Sequence, residues 1–201
     1  MPSKTASYWI LLLIGLVVLS VGCDAPNEPE PKVFRYQLTS APATLDPALA
    51  GDTASGGVID RLFDGLMKLD RSTDQPVADL AEPFLLSDDG LVYSFQLKSG
   101  VLFHSGRPIQ ASDYRASWER LLAPENDSPN AWLFELVEGA EAFRNGTVDT
   151  VSGIEVEDPY VLRIRLVRPF APFPYHLAAP AASVVPIEDV VRLGGDFERQ
   201  P

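Results

Sequence analysis

Apolar and polar residues alternate cleanly over one stretch of the chain. Leu91, Tyr93, Phe95 and Leu97 share one side, against Val92, Ser94, Gln96 and Lys98 on the other. Period two predicts a half-buried strand, and Ser99-Gly100 predicts a turn into a second strand, Val101 to Phe103. A second alternation, Leu162, Ile164 and Leu166 against Arg163 and Arg165, predicts another hairpin turned at Asp158-Pro159. Between these strands the period changes to that of a helix. Tyr114, Trp118, Leu121 and Leu122 form one stripe over 111–122, and Trp132, Leu133, Leu136, Val137 and Ala140 form another over about 131–144. Upstream, "VFRYQL" (33–38) reads as a short strand. "ASGGVIDRLFDGLMKL" reads as a helix with Val58, Ile59, Leu62, Phe63 and Leu66 on its core side. Prolines punctuate 169–180 before a last amphipathic helix at about 186–193. The pattern is mixed α/β with antiparallel hairpins.

The first 32 residues follow no such pattern. Lys4 precedes an uncharged, apolar run from Ser7 to Gly22. That run falls short of the roughly 20 apolar residues that cross a bilayer, and it reads as a signal peptide over 1–22. The one cysteine, Cys23, stands where the run ends. A single cysteine makes no internal disulfide, which leaves an apolar residue near a cleavage site, an intermolecular disulfide, or a lipid attachment point. Leu19-Ser20-Val21-Gly22-Cys23 resembles the lipobox of bacterial lipoproteins, with Ser20 where leucine usually stands, and lipidation of Cys23 is the favoured reading. Residues 24–32, rich in proline and acid, read as a disordered tether. Asp24 resembles the inner-membrane retention signal of Gram-negative lipoproteins. The soluble part, 33–201, is then expected outside the cytoplasm: on the periplasmic side of the inner membrane, or on the cell surface of a Gram-positive host.

The formal charge is −12, from 28 acidic and 16 basic residues. Such an excess disfavours nucleic acid as a partner. Candidate chemistry is sparse. His104 reads as a turn residue and His176 as a packed surface histidine, and two histidines with one cysteine give no zinc site of ordinary spacing. Ser87-Asp88-Asp89-Gly90 reads as a turn rather than a cation loop. No nucleophile elbow, phosphate loop or metalloprotease motif occurs, so neither an enzyme nor a cofactor is expected.

An ordered series of short segments carries a resemblance. Leu45-Asp46-Pro47, Leu62-Phe63-Asp64-Gly65-Leu66, Leu80-Ala81-Glu82, Asp88-Asp89-Gly90, Phe103-His104-Ser105-Gly106-Arg107-Pro108 and Ser117-Trp118 come in sequence, followed by "GIEVEDPYVLRIRLVRPFAPFPYHLAAPAASVVP". Together they resemble the oligopeptide- and dipeptide-binding proteins of ABC importers, solute-binding protein family 5, over nearly all of 33–201. The helix after "GRP" departs from the family's usual opening: Gln110 stands in place of threonine, and Ser112 is the expected cap. The resemblance implies an α/β fold of the periplasmic-binding-protein type II kind, two lobes around a cleft, of which this chain carries an N-terminal portion. It implies a monomer that captures peptides and delivers them to permease subunits. It also implies that Gly51, Asp52 and Thr53 line the cleft, and that Asn130 makes a second contact where oligopeptide binders often carry an aromatic. A cell-envelope hydrolase, or a lipoprotein that no longer transports, are the alternative classes.

Overall fold

The computed structural model describes residues 33, 35, 37, 38 and 40–201. Cys23, the signal peptide and the tether lie outside the described residues. Contacts divide the chain after Gln37, and the unit Leu38–Pro201 holds the fold. The described residues of 33–38 belong to no strand, and Val33 is exposed.

The centre is a four-stranded antiparallel sheet in the order β3-β4-β6-β5, formed by β3 (Leu85–Leu86), β4 (Val92–Gln96), β5 (Ile154–Asp158) and β6 (Val161–Arg165). A separate ribbon pairs β1 (Met67–Leu69) with β2 (Pro76–Ala78). Tyr93 lies opposite Ile164 and Phe95 opposite Leu162, while Ile154 and Val156 face the same two residues of β6 from the other side. The alternation therefore places Tyr93, Phe95, Leu162 and Ile164 on one buried face. Phe84 and Phe173 extend this face, each with its ring 5.2–5.6 Å from a ring of β4.

Helix α2 (Ala111–Leu122) covers the core with Tyr114, Trp118, Leu121 and Leu122, none more than 1% exposed. The Trp118 indole donates from Nε1 to Ala182 O at 2.9 Å and packs on Tyr114 and Phe134. The cap of α2 differs from expectation. Asp113, not Ser112, reaches back to the Gln110 N–H at 2.8 Å, and Arg107 pairs with the same carboxylate. An acid three residues into a helix both satisfies an unpaired N–H and complements the positive end of the helix.

Three expected elements are rebuilt. The helix of 54–69 becomes α1 (Thr53–Leu62), which ends before Asp64-Gly65; Leu66 and Met67 turn into the ribbon. The strand 101–103 does not pair with β4, whose two edges belong to β3 and β6. It folds back on the residues that follow, around a turn at Gly106 (φ +85°), so that Phe103 N bonds Arg107 O and Ile109 N bonds Val101 O. The helix of 131–144 is interrupted. A 3₁₀ turn, Ala131–Phe134, is followed by turns around an isolated bridge from Val137 to Leu166 and then by α3 (Ala140–Arg144). The backbone of 136–138 bonds to the end of β6 and to Gly153: Val167 N to Leu136 O, Glu138 N to Arg165 O and Gly153 N to Glu138 O. Gly139, at φ +81°, allows the break, and a Cβ there would stand 2.5 Å from Ser152 Oγ. Helical spacing was right that Leu133, Val137 and Ala140 are buried, and wrong about the backbone and about Trp132, which is exposed. Helices α4 (Phe173–Leu177) and α5 (Ile187–Leu193) close the chain.

Candidate functional site

The loop from Ala43 to Thr53 is irregular, so its backbone groups need partners from elsewhere. Asp46 supplies several. It is 1% exposed, its Oδ1 accepts the Ala48 N–H at 3.0 Å, and its own N–H donates to Thr44 Oγ1. A buried carboxylate also needs a counter-charge, and Arg120, in the last turn of α2, grips both oxygens. Ser55 is the second fastener. Its hydroxyl accepts N–H bonds from Ala43 and Thr44 and donates to Asp52 Oδ2 at 2.5 Å. Asp52 in turn caps α1, accepting the Ser55 N–H at 2.9 Å. The hydrogen bonds from Ser55, the hydroxyl first, hold the Asp52 carboxyl below the usual aspartate range.

The second contributor is the turn before the 3₁₀ segment. Ser128 Oγ donates to Ala48 O at 2.5 Å, and Asn130 Nδ2 donates to Ala50 O at 2.7 Å. Gly51 passes close by: a Cβ on it would lie 3.3 Å from Pro129 Cγ. The four residues expected to line a site, Gly51, Asp52, Thr53 and Asn130, are thus brought together across about 80 residues of sequence. Gly51, Asp52 and Thr53 are exposed, and Asn130 is half-buried.

Two of the four already serve the fold. Asp52 is a helix cap, and one N–H of the Asn130 amide holds the loop in place. The Asp52 carbonyl is likewise taken, by the Gly56 N–H at 3.0 Å, whereas Thr53 Oγ1 and Asn130 Oδ1 have no protein partner among the described residues and remain open to a polar ligand. The braces Asp46, Ser55, Arg120 and Ser128 went unrecognised in the sequence. Only Asp52 followed three residues later by Ser55 carried a local capping signal.

Among the described residues, no group of three or more His, Cys, Asp or Glu could hold a metal ion. His176 is packed as expected, with Nδ1 2.8 Å from Leu133 O. A groove of about 700 Å³ adjoins the turn, lined in part by Leu122, Pro124, Ser128, Ala131, Glu135 and Arg144. No helix among the described residues is long and apolar enough to cross a membrane.

The chain as a whole is similar to known proteins. The chain is 31% identical over 177 residues to the oligopeptide-binding protein OppA of Bacillus subtilis, covering 83% of this chain and 32% of that protein. It is 30% identical over 197 residues to the probable deoxycholate-binding periplasmic protein YgiS of Escherichia coli, covering 95% and 36%. The structure of Listeria monocytogenes OppA bound to peptide superposes with a TM-score of 0.74 at 26% identity, over 81% of this chain and 32% of that one. The chain thus spans about a third of the length of the relatives it matches. The family model for the middle part of bacterial extracellular solute-binding proteins, family 5, matches residues 75–200. By that match, which takes in more than half of its residues, the chain belongs to the family 5 bacterial extracellular solute-binding proteins.

Proposed function

We propose that this chain captures peptides outside the cytoplasm and passes them to the permease subunits of an ABC importer. Family membership over residues 75–200 carries the reading. The names of most of its relatives support it, being oligopeptide-, dipeptide- and glutathione-binding proteins, although YgiS is named for deoxycholate. The site supports it as well. Gly51, Asp52, Thr53 and Asn130 form an exposed ledge of backbone and small polar groups, suited to a peptide main chain and indifferent to most side chains. The protein acts as a monomer without a cofactor, held at the membrane by lipid on Cys23 and spaced from it by residues 24–32.

Thermal melts with a mixed tripeptide library test the capture step. A ligand that binds only the folded state raises the melting temperature as its concentration passes its Kd. Stabilisation at millimolar peptide is the expected result, and an unmoved melting curve overturns the reading. For the anchor, mass spectrometry of protein from its host is expected to find lipid on an N-terminal Cys23, with Cys23→Ser moving the protein to the soluble fraction. A soluble, unmodified wild-type chain overturns that part alone.

A further inference from the structure

Trp132 is 52% exposed, although a tryptophan ring is among the most apolar surfaces a protein can leave in water. Its ring is nevertheless braced. It meets His176 edge-to-face at 5.0 Å and 79°. The imidazole is fixed in turn, its Nδ1 2.8 Å from Leu133 O and its ring packed on Phe170 at 5.2 Å. The indole thus leans on an aromatic stack while half of its surface stays open.

Its position ties it to the candidate site. Trp132 lies in the 3₁₀ turn whose N-cap is Asn130, the residue that bonds Ala50 O beside Gly51. Two trans peptides separate the α-carbons of Asn130 and Trp132 by at most about 7.6 Å, and an extended peptide advances roughly 3.3 Å per residue. The indole is thus carried on the same turn as Asn130, two residues from the amide that bonds Ala50 O.

We propose that Trp132, backed by His176, is the floor of a side-chain subsite that takes an aromatic residue of the bound peptide. The inference rests on the peptide-binding reading above and deepens it. Indole offers no charge and one N–H, so it discriminates by shape and polarisability. A flat aromatic ring covers it offset or edge-on, whereas a methyl group leaves most of it wet. The main-chain ledge tolerates any sequence, and Trp132 adds a preference.

The experiment is an NMR titration of the 201-residue chain with Ala-Ala-Ala and with Ala-Phe-Ala. The Trp132 indole N–H resonance is assigned by its loss in Trp132→Phe. Ala-Phe-Ala is expected to shift that resonance and to bind about tenfold more tightly than Ala-Ala-Ala, the scale of one buried aromatic contact. Trp132→Ala brings the two peptides to the same affinity, and Trp132→Phe, which keeps a ring against His176, retains a preference. The Trp118 indole resonance, buried in the core, reports in each variant that the fold is intact. Equal affinities in the wild type, or a preference that survives Trp132→Ala, overturn the subsite and leave peptide binding standing. If neither peptide perturbs any resonance at about 10 mM, the peptide-binding reading falls and the subsite falls with it.

Discussion

Trp118, Asp46 and Tyr114 represent three kinds of buried residue, and the sequence disclosed them unequally. Trp118 was legible because helical spacing alone puts it on the stripe with Tyr114 and Leu121. It is fully buried and hydrogen-bonded to Ala182 O, so Trp118→Ala is expected to cost about 3–5 kcal/mol in denaturant melts. Asp46 was legible only as part of a motif. Its partner Arg120 lies 74 residues away, and nothing in either local sequence announces the pair. Removing one member of a buried pair strands the other, at about 3–5 kcal/mol. Arg120 keeps 18% of its side chain exposed, so Asp46→Asn is expected near the lower end, about 3 kcal/mol. Tyr114 is the opposite case. Its hydroxyl is buried with no hydrogen-bond partner among the described residues, and burial pushes its pKa well above the usual tyrosine value. Tyr114→Phe removes an unsatisfied group and fills the same space, so stability should hold or rise by up to about 1 kcal/mol. A loss larger than that in the same melts would show that the hydroxyl is bonded after all.

At the scale of elements, sequence pattern succeeded where the chain pairs with its near neighbours. It failed where a distant segment competes for the backbone. The hairpin of β5 and β6 was legible because its turn and both alternations are local. The break at Gly139 was not, because β6 and Gly153 cause it by taking the peptide groups of 136–138. Helix α5 depends on a remote contact of another kind. Arg107, over the Phe103 ring, bridges Asp113 at the start of α2 and Glu188 in α5, with Nε 2.5 Å from Glu188 Oε1. Arg107 holds the Glu188 carboxyl below the ordinary value of 4.5. A carboxyl whose folded pKa is depressed stabilises the fold above its unfolded pKa, and that contribution is lost as the pH falls through the folded value. The docking of α5 is therefore expected to loosen as the pH falls below the ordinary glutamate value and through the lower folded one. Glu188 is 52% exposed, so solvent limits the effect to about 1 kcal/mol or less. Amide protection factors over 187–193 measure it: Glu188→Gln is expected to reproduce the acid behaviour at neutral pH and to remove the acid dependence. Asp64 has the opposite sign. Burial raises its pKa, so its contribution favours the fold at low pH and fades as the pH rises through its folded value.

For the whole molecule, the ordered motifs of 45–118 pointed to the family before any pairing was known, and the resemblance implied a shared site for Gly51–Thr53 and Asn130, which the fold does bring close together. They could not show how that site is held together. The ledge depends on Ser55, Ser128, Asp46 and Arg120, small or charged residues whose roles exist only once the fold brings them together. Its openness sets what binding it can give. Tight small-molecule sites enclose most of their ligand, whereas Gly51, Asp52 and Thr53 are exposed and present one wall. The two-lobed architecture expected from the resemblance closes a second wall over the ligand and expels water from both. One wall without closure leaves the peptide's charged amino terminus solvated, and each 1.4 kcal/mol left unrealised weakens binding tenfold. The 201-residue chain is therefore expected to bind tripeptides with Kd near the millimolar range, about −4 kcal/mol. Isothermal calorimetry, or the indole resonances at high peptide concentration, would measure this directly. Submicromolar binding would demand some 4 kcal/mol more, which an open ledge of a hydroxyl, an amide and a few backbone groups does not supply. That result would mean that these residues enclose their ligand by themselves, and that closure of a second lobe is not what holds it.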